Sequence, residues 1–102
     1  MAGLSAYCAS KAGLIGLVKV LALELAPREI TVNAVSCGWF DSPMASDWRN
    51  NERRDAMIRQ HTPLGRWGGP TDLVGAYLFF ASLASSFVTG SVLDVDGGYL
   101  LA

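Results

Sequence analysis

Residues Ser5–Val35 read SAYCASKAGLIGLVKVLALELAPREITVNAV and combine a helical with an extended pattern. The first part predicts a helix over Ser5–Ala26, with the Ser5 hydroxyl as a candidate N-terminal cap and Pro27 as the stop. Apolar residues recur at helical spacing in this helix: Leu14, Leu17, Val18, Leu21 and Leu25. Other apolar residues lie on the remaining faces, so we expect the helix to be buried on most sides.

The second part of this stretch, Ile30–Val35, predicts a short strand that Cys37-Gly38 ends. β-Branched and apolar residues occupy both of its faces, apart from Thr31 and Asn33. Such a run favours a buried strand of a parallel sheet over a strand with one face in water.

The rest of the chain predicts more helices and one more strand. One or two polar surface helices are expected within residues 44–60, starting at the signal Ser42-Pro43. A helix opening at Pro70 and a strand over Ser91–Val95 follow, and Asp96-Gly97-Gly98 is a turn. This alternation indicates an α/β fold. Two strands are too few for a stable open sheet, so we expect the apolar faces to meet another chain or a further part of the protein.

Composition excludes several classes of protein. The 102 residues are 51% hydrophobic and carry a formal net charge of −1, which excludes a disordered chain and disfavours a nucleic-acid binder. Cys8 and Cys37 form neither a disulfide framework nor a metal-ligand pattern, so we expect no metal and a reducing cytoplasm. Lys19 and Glu24 interrupt the apolar run Ala12–Ala26, so we expect no membrane span.

Tyr7 and Lys11 form the first candidate for chemistry. Residues four apart on a helix share a face. An ammonium about 4 Å from a phenolate stabilises it by roughly 4 kcal/mol at an effective dielectric of about 20, provided that water is excluded. The pair can therefore act as an acid/base device, although the same spacing is also common on ordinary helices.

Residues 7–13, YCASKAG, resemble the Y-x-A-S-K-A-G stretch of the short-chain dehydrogenase/reductase family. The resemblance continues in family order through LALELAPREITVNAV, CGWFDSPM and TPLGRWGGPTDLVGAYLFFASLASSFVTGSVLDVDGG. The last block is most similar to the branch that contains sugar-acid, polyol and 3-oxoacyl-thioester reductases. The resemblance implies the C-terminal half of a Rossmann-type, doubly wound parallel sheet. We therefore expect residues 1–102 to be the C-terminal part of one such domain, without its N-terminal dinucleotide-binding half.

The resemblance also implies roles for individual residues. Tyr7 corresponds to the catalytic acid/base of an alcohol/ketone oxidoreductase, and Lys11 to the residue that favours its phenolate and holds the nicotinamide ribose. In the loop after the first strand, Gly38, the Phe40 backbone and the Ser42 hydroxyl correspond to contacts with NAD or NADP. Two residues depart from the family pattern: Cys37 replaces a usual Pro and Ser42 a usual Thr. The Cys37 thiol is therefore expected to be exposed near the cofactor.

Two features of the family are missing from this sequence. The glycine-rich turn that binds the dinucleotide is one, because Gly65, Gly68 and Gly69 follow no strand. The catalytic Ser upstream of the Tyr is the other, and Ser5 lies on the wrong helical face to replace it. The sequence thus predicts a truncated NAD(P)-dependent oxidoreductase that is inactive alone, or alternatively a non-catalytic remnant that acts as an oligomerisation or interaction module. The resemblance implies a homo-oligomer through residues 5–26 and 70–95.

The remaining candidates have structural explanations. His61 is expected in a surface or loop position, and Trp67 is expected to be structural. The run Arg49–Asp55 predicts a solvated helix face, or a lid over the substrate by resemblance. Met44, Trp48 and Met57 are expected to be packing anchors or substrate walls. The following residues are expected in the core or in subunit contacts: Phe79, Phe80, Phe87, Leu93 and Val95.

Overall fold

A computed structural model describes residues 3–102 of the chain. Its helices are α1 (Ser5–Leu25), α2 (Ser46–Arg49), α3 (Glu52–His61) and α4 (Thr71–Phe80), and its strands are β1 (Ala34–Cys37) and β2 (Val92–Val95). The two strands pair in a small parallel sheet. The predicted order of helices and strands is confirmed, and the described chain has the architecture of a partial Rossmann-type α/β fold.

The chain divides into two compact units. The first contains the chain up to Ala34 together with Phe80–Leu93, and the second contains Val35–Phe79 and Asp94–Ala102.

In the first unit, α1 packs on the segment that precedes β2. Val18 and Ala22 are the buried residues of this helix. The Ala22 Cβ lies 3.5 Å from the position that a Cβ on Gly90 would take. Gly90 has a φ of 71°, which favours glycine, so the turn before β2 explains this residue.

The ends of α1 differ in part from the prediction. Ser5 is not the N-terminal cap, because Leu4 occupies that position and no side chain caps the helix. The α-helix ends at Leu25, and Pro27 lies in a 3₁₀ turn over Ala26–Arg28 that stops at Glu29 with a φ of 57°.

The first strand begins later than predicted, at Ala34 instead of Ile30. Side chains make part of the pairing before Ala34, which interrupts the regular backbone ladder. The Val32 N–H donates to Thr89 Oγ1, and the Asn33 side chain donates to the Val88 carbonyl and accepts from the Ser91 N–H. Regular backbone pairing starts where the Ala34 N–H donates to the Ser91 carbonyl at 2.9 Å.

In the second unit, α2 and α3 confirm the prediction of one or two surface helices within residues 44–60, and there are two. The Asn51 side chain caps α3 by accepting from the Arg54 N–H at 3.1 Å. Ile58 is 1% exposed and Trp67 6% exposed, so they form the buried centre of this unit, as predicted for Trp67.

The turn after β2 is built as predicted. Gly97 and Gly98 have φ values of 63° and 87°. The Asp96 carboxylate accepts from the N–H groups of Gly98 and Leu100 at 2.8 and 2.9 Å. This turn therefore combines glycine conformations with a local side-chain cap.

Much of the apolar surface of α1 and α4 is exposed within the described chain. Leu17 on α1 is 52% exposed and Leu78 on α4 is 63% exposed. The expectation that α1 is buried on most sides is therefore wrong for this chain by itself. Phe79, Phe87 and Leu93 are also exposed rather than in a core, so their role as subunit contacts stays a prediction.

By length and composition alone, the segment Ser5–Arg28 could cross a membrane, with a mean hydropathy of 1.5 in its most apolar window. Core helices of soluble proteins meet the same criterion. The feature is therefore weak evidence for a membrane span.

Candidate functional site

Tyr7 and Lys11 lie on one face of α1, as their spacing predicts. The Lys11 ammonium nitrogen is 5.5 Å from the centroid of the Tyr7 ring. Tyr7 is 52% exposed and Lys11 is exposed as well. The first unit therefore brings the phenol and the cation together, but it does not supply the dry surroundings that the predicted chemistry requires.

In the second unit, the loop Gly38–Ser42 is held by a parallel bridge between Phe40 and Gly68. The Gly68 N–H donates to the Trp39 carbonyl and the Asp41 N–H donates to the Gly68 carbonyl, both at 2.9 Å. In a parallel bridge of this pattern, the N–H and C=O of the central residue point to the opposite side. Within residues 3–102, neither group of Phe40 makes a hydrogen bond. Phe40 therefore offers a donor and an acceptor side by side.

This edge fits the carboxamide of a nicotinamide, which carries one acceptor oxygen and one NH₂ donor. A carboxamide oxygen can accept from the Phe40 N–H while its NH₂ donates to the Phe40 carbonyl. Among the residues that the structure describes, the Ser42 hydroxyl does not cap the 3₁₀ turn Pro43–Ala45 that follows it, so it is a further group for a contact. The residues of the loop therefore suit the cofactor that the resemblance implies.

Gly38 has a visible structural reason to be a glycine. A Cβ at this position would lie 2.6 Å from Asp96 Cα and 2.7 Å from Asp96 Cβ. The Gly38 N–H donates to the Val95 carbonyl at 3.0 Å. Gly38 thus brings the start of the loop against the end of β2. Cys37, the residue before it, is exposed as predicted.

Asp55 is the centre of a side-chain network that sequence reasoning missed, because the run Arg49–Asp55 predicted a solvated face. Its Oδ1 accepts from Trp67 Nε1 at 2.7 Å and from Arg49 Nη1 at 3.0 Å, while its Oδ2 accepts from Arg59 Nε at 2.9 Å. The hydrogen bond from Arg59 lowers the pKa of Asp55, partial burial opposes it, and Trp67 and the charges of Arg59 and Arg49 add to the lowering. The spacing of Asp55 and Arg59 could have indicated their pairing, but no sequence signal indicates Trp67.

Aromatic rings surround this carboxylate network. The Trp39 ring lies 5.1 Å from Trp48 and 5.8 Å from Trp67, the latter in an edge-to-face arrangement, and 6.4 Å from Tyr99. The Arg54 guanidinium lies 4.9 Å from the Trp48 ring centroid. Trp48 is therefore a packing anchor, as predicted.

Three other candidates from the sequence, Met44, Met57 and His61, are exposed to solvent. Met44 is 88% exposed and Met57 40% exposed, so within this chain neither is a packing anchor. His61 is exposed at the end of α3, where Nδ1 lies 2.8 Å from the Met57 carbonyl oxygen. Across residues 3–102, no group of three or more His, Cys, Asp or Glu side chains could hold a metal ion.

A second ion pair stands at the start of α4. Arg66 donates to both carboxylate oxygens of Asp72 at 2.8 Å, and the Gly69 N–H donates to Asp72 Oδ2 at 2.7 Å. These hydrogen bonds, those from Arg66 first, hold the pKa of Asp72 well below its ordinary value. The pair lines a shallow pocket together with Trp39, Phe40 and Leu64.

The predicted site residues thus form two groups. Tyr7 and Lys11 belong to the first unit, and Gly38, Phe40 and Ser42 belong to the second. Each group lies together within its own unit, and the roles of these residues stay a prediction.

Comparison with known proteins identifies the class. A family model described as enoyl-(acyl carrier protein) reductase matches residues 1–100. A gluconate 5-dehydrogenase from Burkholderia cenocepacia, solved in complex with NADP and tartrate, superimposes with a TM-score of 0.93 at 34% identity, over 96% of this chain and 38% of that one. These matches define a Rossmann-type oxidoreductase fold. The chain belongs to the short-chain dehydrogenase/reductase family, as its motifs predicted.

Curated relatives agree with this assignment. The 3-oxoacyl-[acyl-carrier-protein] reductase of Rickettsia bellii is 50% identical over 99 residues, which are 97% of this chain and 40% of that protein. The 2-dehydro-3-deoxy-D-gluconate 5-dehydrogenase of Escherichia coli K12 is 43% identical over 94 residues, 92% of this chain and 37% of that protein. The chain therefore spans about 40% of the length of the curated relatives that it matches.

Proposed function

We propose that this chain supplies the acid/base pair and the nicotinamide-facing loop of an NAD(P)-dependent oxidoreductase that interconverts an alcohol and a ketone. The observation that carries the proposal is the Tyr7–Lys11 pair, with the ammonium 5.5 Å from the phenol ring centroid, in a chain of this family. Residues 1–102 form the C-terminal part of a single domain in this proposal.

In the reducing direction, the Tyr7 hydroxyl donates its proton to the carbonyl oxygen of the substrate, and the remaining phenolate is stabilised by the Lys11 ammonium. In the oxidising direction, the Tyr7 phenolate takes the hydroxyl proton back. The bound nicotinamide supplies the hydride to the carbonyl carbon, or accepts it in the reverse reaction. A proton and a hydride are thus exchanged in each direction, which balances the conversion of ketone to alcohol.

The chain's own groups hold the cofactor on its nicotinamide side. The Phe40 N–H and C=O pair with the carboxamide, the Ser42 hydroxyl adds a contact, and Lys11 holds the ribose hydroxyls. Gly38 allows this loop to lie against β2. Both NAD and NADP carry the nicotinamide and ribose that these residues contact.

The substrate in this proposal is a small molecule with a secondary alcohol or ketone, and the protein acts in the cytoplasm. Relatives whose names specify a sugar acid or a 3-oxoacyl thioester support this substrate class.

Exposed apolar surface supports assembly with a second copy. Residues 5–26 and 70–95 carry large apolar side chains that water reaches in the single chain. Association would cover them and exclude water from the helix that bears Tyr7. The same surface supports the alternative proposal, in which the chain is a non-catalytic oligomerisation module.

A hybrid enzyme tests the catalytic proposal. This chain replaces the matching 99-residue segment of the Rickettsia bellii reductase, and oxidation of NADPH by a 3-oxoacyl thioester is measured. We expect activity in the hybrid and a loss of about 10²- to 10⁴-fold in kcat for Tyr7→Phe. Tyr77→Phe, on α4, is the matched control and should keep the activity. A folded, inactive hybrid, or a Tyr7→Phe hybrid of full activity, would favour the non-catalytic alternative.

The 102-residue chain by itself is expected to show no micromolar binding of NADH in a fluorescence titration. The contacts proposed above reach the nicotinamide side alone, and the sequence has no glycine-rich turn for the pyrophosphate. Micromolar binding by the chain alone would refute this expectation.

A further inference from the structure

We propose that Asp55 is a positioning residue, whose carboxylate fastens α2 and α3 to Trp67 and thereby sets the Phe40 edge that faces the cofactor. The inference rests on the proposed function for the identity of the ligand. Its structural half concerns this chain alone.

The first step is the convergence of donors on one side chain. Arg49 ends α2, Arg59 lies one turn beyond Asp55 on α3, and Trp67 follows in the loop after α3. All three donate to Asp55, at 3.0, 2.9 and 2.7 Å, and both carboxylate oxygens are used. One carboxylate therefore joins two helices and a loop.

The second step leads from Trp67 to the Phe40 edge. Trp67 is joined by a peptide bond to Gly68, the residue that bridges Phe40 through two backbone hydrogen bonds. The Trp67 ring also packs edge-to-face on Trp39, the residue before Phe40. A displacement of Trp67 would therefore move Gly68, which pairs with Phe40, and would also move the Trp39 ring that packs on Trp67.

The third step explains why the acceptor is a carboxylate. The Asp55 side chain is 21% exposed and faces two guanidinium groups, and Trp67 is 6% exposed. Arg49 Nε has no hydrogen-bond partner among the described residues, and Asp41 Oδ2 lies 3.9 Å from it. Loss of the Asp55 carboxylate would leave the Trp67 N–H and the Arg49 Nη1 without the acceptor that they share.

Amide hydrogen exchange on the 102-residue chain tests the structural half. In Asp55→Ala we expect the amides of Asp41 and Gly68, which form the bridge to Phe40, to exchange at least tenfold faster than in the wild type. Asp55→Asn keeps an acceptor oxygen for Trp67 but loses the charge, so its effect should be smaller. Asp47→Ala removes an exposed carboxylate of α2 and is the control, with unchanged exchange expected.

Tryptophan fluorescence gives a second structural readout. All three tryptophans of the chain lie in this cluster: Trp39, Trp48 and Trp67. We expect a red shift of the emission and stronger acrylamide quenching in Asp55→Ala, and neither in Asp47→Ala. If Asp55→Ala fails to fold, hydrogen exchange at Asp41 and Gly68 is measured in Asp55→Asn and Trp67→Phe instead. Unchanged exchange at Asp41 and Gly68 in those variants would overturn the inference.

The ligand half is tested in the hybrid enzyme with NADPH. Asp55→Ala is expected to raise the Kd of NADPH about tenfold while the kcat changes less than in Tyr7→Phe, because the affected group orients the cofactor and moves no proton. An unchanged Kd overturns the cofactor-positioning role. An inactive wild-type hybrid counts against the proposed function instead, and the exchange data still decide whether Asp55 holds the Phe40 edge.

Discussion

Gly38 approaches the backbone of Asp96 so closely that a Cβ on Gly38 would lie 2.6 Å from Asp96 Cα. Real Cβ atoms do not approach a backbone carbon to this distance. The contact places the first residue of the loop Gly38–Ser42 directly against the residue that follows β2. A side chain at Gly38 would have to displace either the loop or the turn at Asp96.

Gly38→Ala is therefore expected to lower the free energy of unfolding by about 1–3 kcal/mol, the usual cost of overpacking. The measurement is urea denaturation of the 102-residue chain. Gly75→Ala is the control, since no atom lies within 4 Å of its new Cβ and α4 gains helix propensity of up to about 1 kcal/mol. Equal stability of Gly38→Ala and the wild type would contradict the close approach.

Gly68→Ala should displace the Phe40 ring. The new Cβ would lie 2.5 Å from Phe40 Cε1, whereas a Cβ on Gly69 would meet nothing nearer than Asp72 Oδ2 at 3.8 Å. We expect a loss of about 1–3 kcal/mol for Gly68→Ala and little change for Gly69→Ala.

A double-mutant cycle isolates the contact between Gly68 and Phe40. In a Phe40→Ala background the ring is gone, so Gly68→Ala should cost less than in the wild type. An unchanged cost would show that another group opposes a side chain at this position.

The pair of Arg66 and Asp72 predicts a loss of stability in acid. Hydrogen bonds from Arg66 and Gly69 lower the pKa of Asp72 in the folded chain, so the unfolded chain takes up this proton first as the pH falls. The contribution of Asp72 is fully present above its ordinary pKa of about 3.9 and is lost at lower pH. We expect the urea midpoint of Asp72→Asn to fall less between pH 5 and pH 3 than that of the wild type.

The control for this pH dependence is Asp94→Asn, at an exposed residue of β2 for which the described part of the chain has no ion pair. It should keep the wild-type pH profile. Asp55, whose pKa is also lowered in the folded chain, contributes to the slope that remains in Asp72→Asn. Identical profiles for Asp72→Asn and the wild type would contradict the prediction.

Association through α1 is the fourth prediction. We expect the 102-residue chain to self-associate at micromolar concentration in analytical ultracentrifugation, because Leu17 and its apolar neighbours on α1 are exposed. Leu17→Glu should weaken the association at least tenfold, whereas Gln60→Glu, an equal change of charge on α3, should not. A monomeric wild-type chain, or one that binds liposomes instead of itself, would count against the proposed interface.

Local patterns predicted the helices and the order of helices and strands well. The periodicity of α1, the proline before α4 and the glycines of the Asp96 turn each act within a few residues, so their effect can be inferred without knowledge of distant partners. The spacing of Tyr7 and Lys11 is of the same kind, because a helix by itself places residues four apart on one face. The predicted start of β1 was wrong because side chains replace part of the backbone ladder there: Thr89 accepts from the Val32 N–H, and Asn33 donates to the Val88 carbonyl. These contacts join residues more than 50 positions apart.

The chain's order of residues, by itself, determined its family, its helix–strand alternation and the Tyr7–Lys11 pair, because helical geometry and ordered motifs are local properties. Tertiary structure alone decided that Asp55 meets Trp67, that Gly38 touches Asp96 and that the Phe40 amide and carbonyl stay free. Each of these depends on contacts between residues that are far apart in the sequence. The same holds for burial. The sequence shows which residues are apolar, but only the packing of the chain determined that Ile58 is buried and Leu17 is exposed.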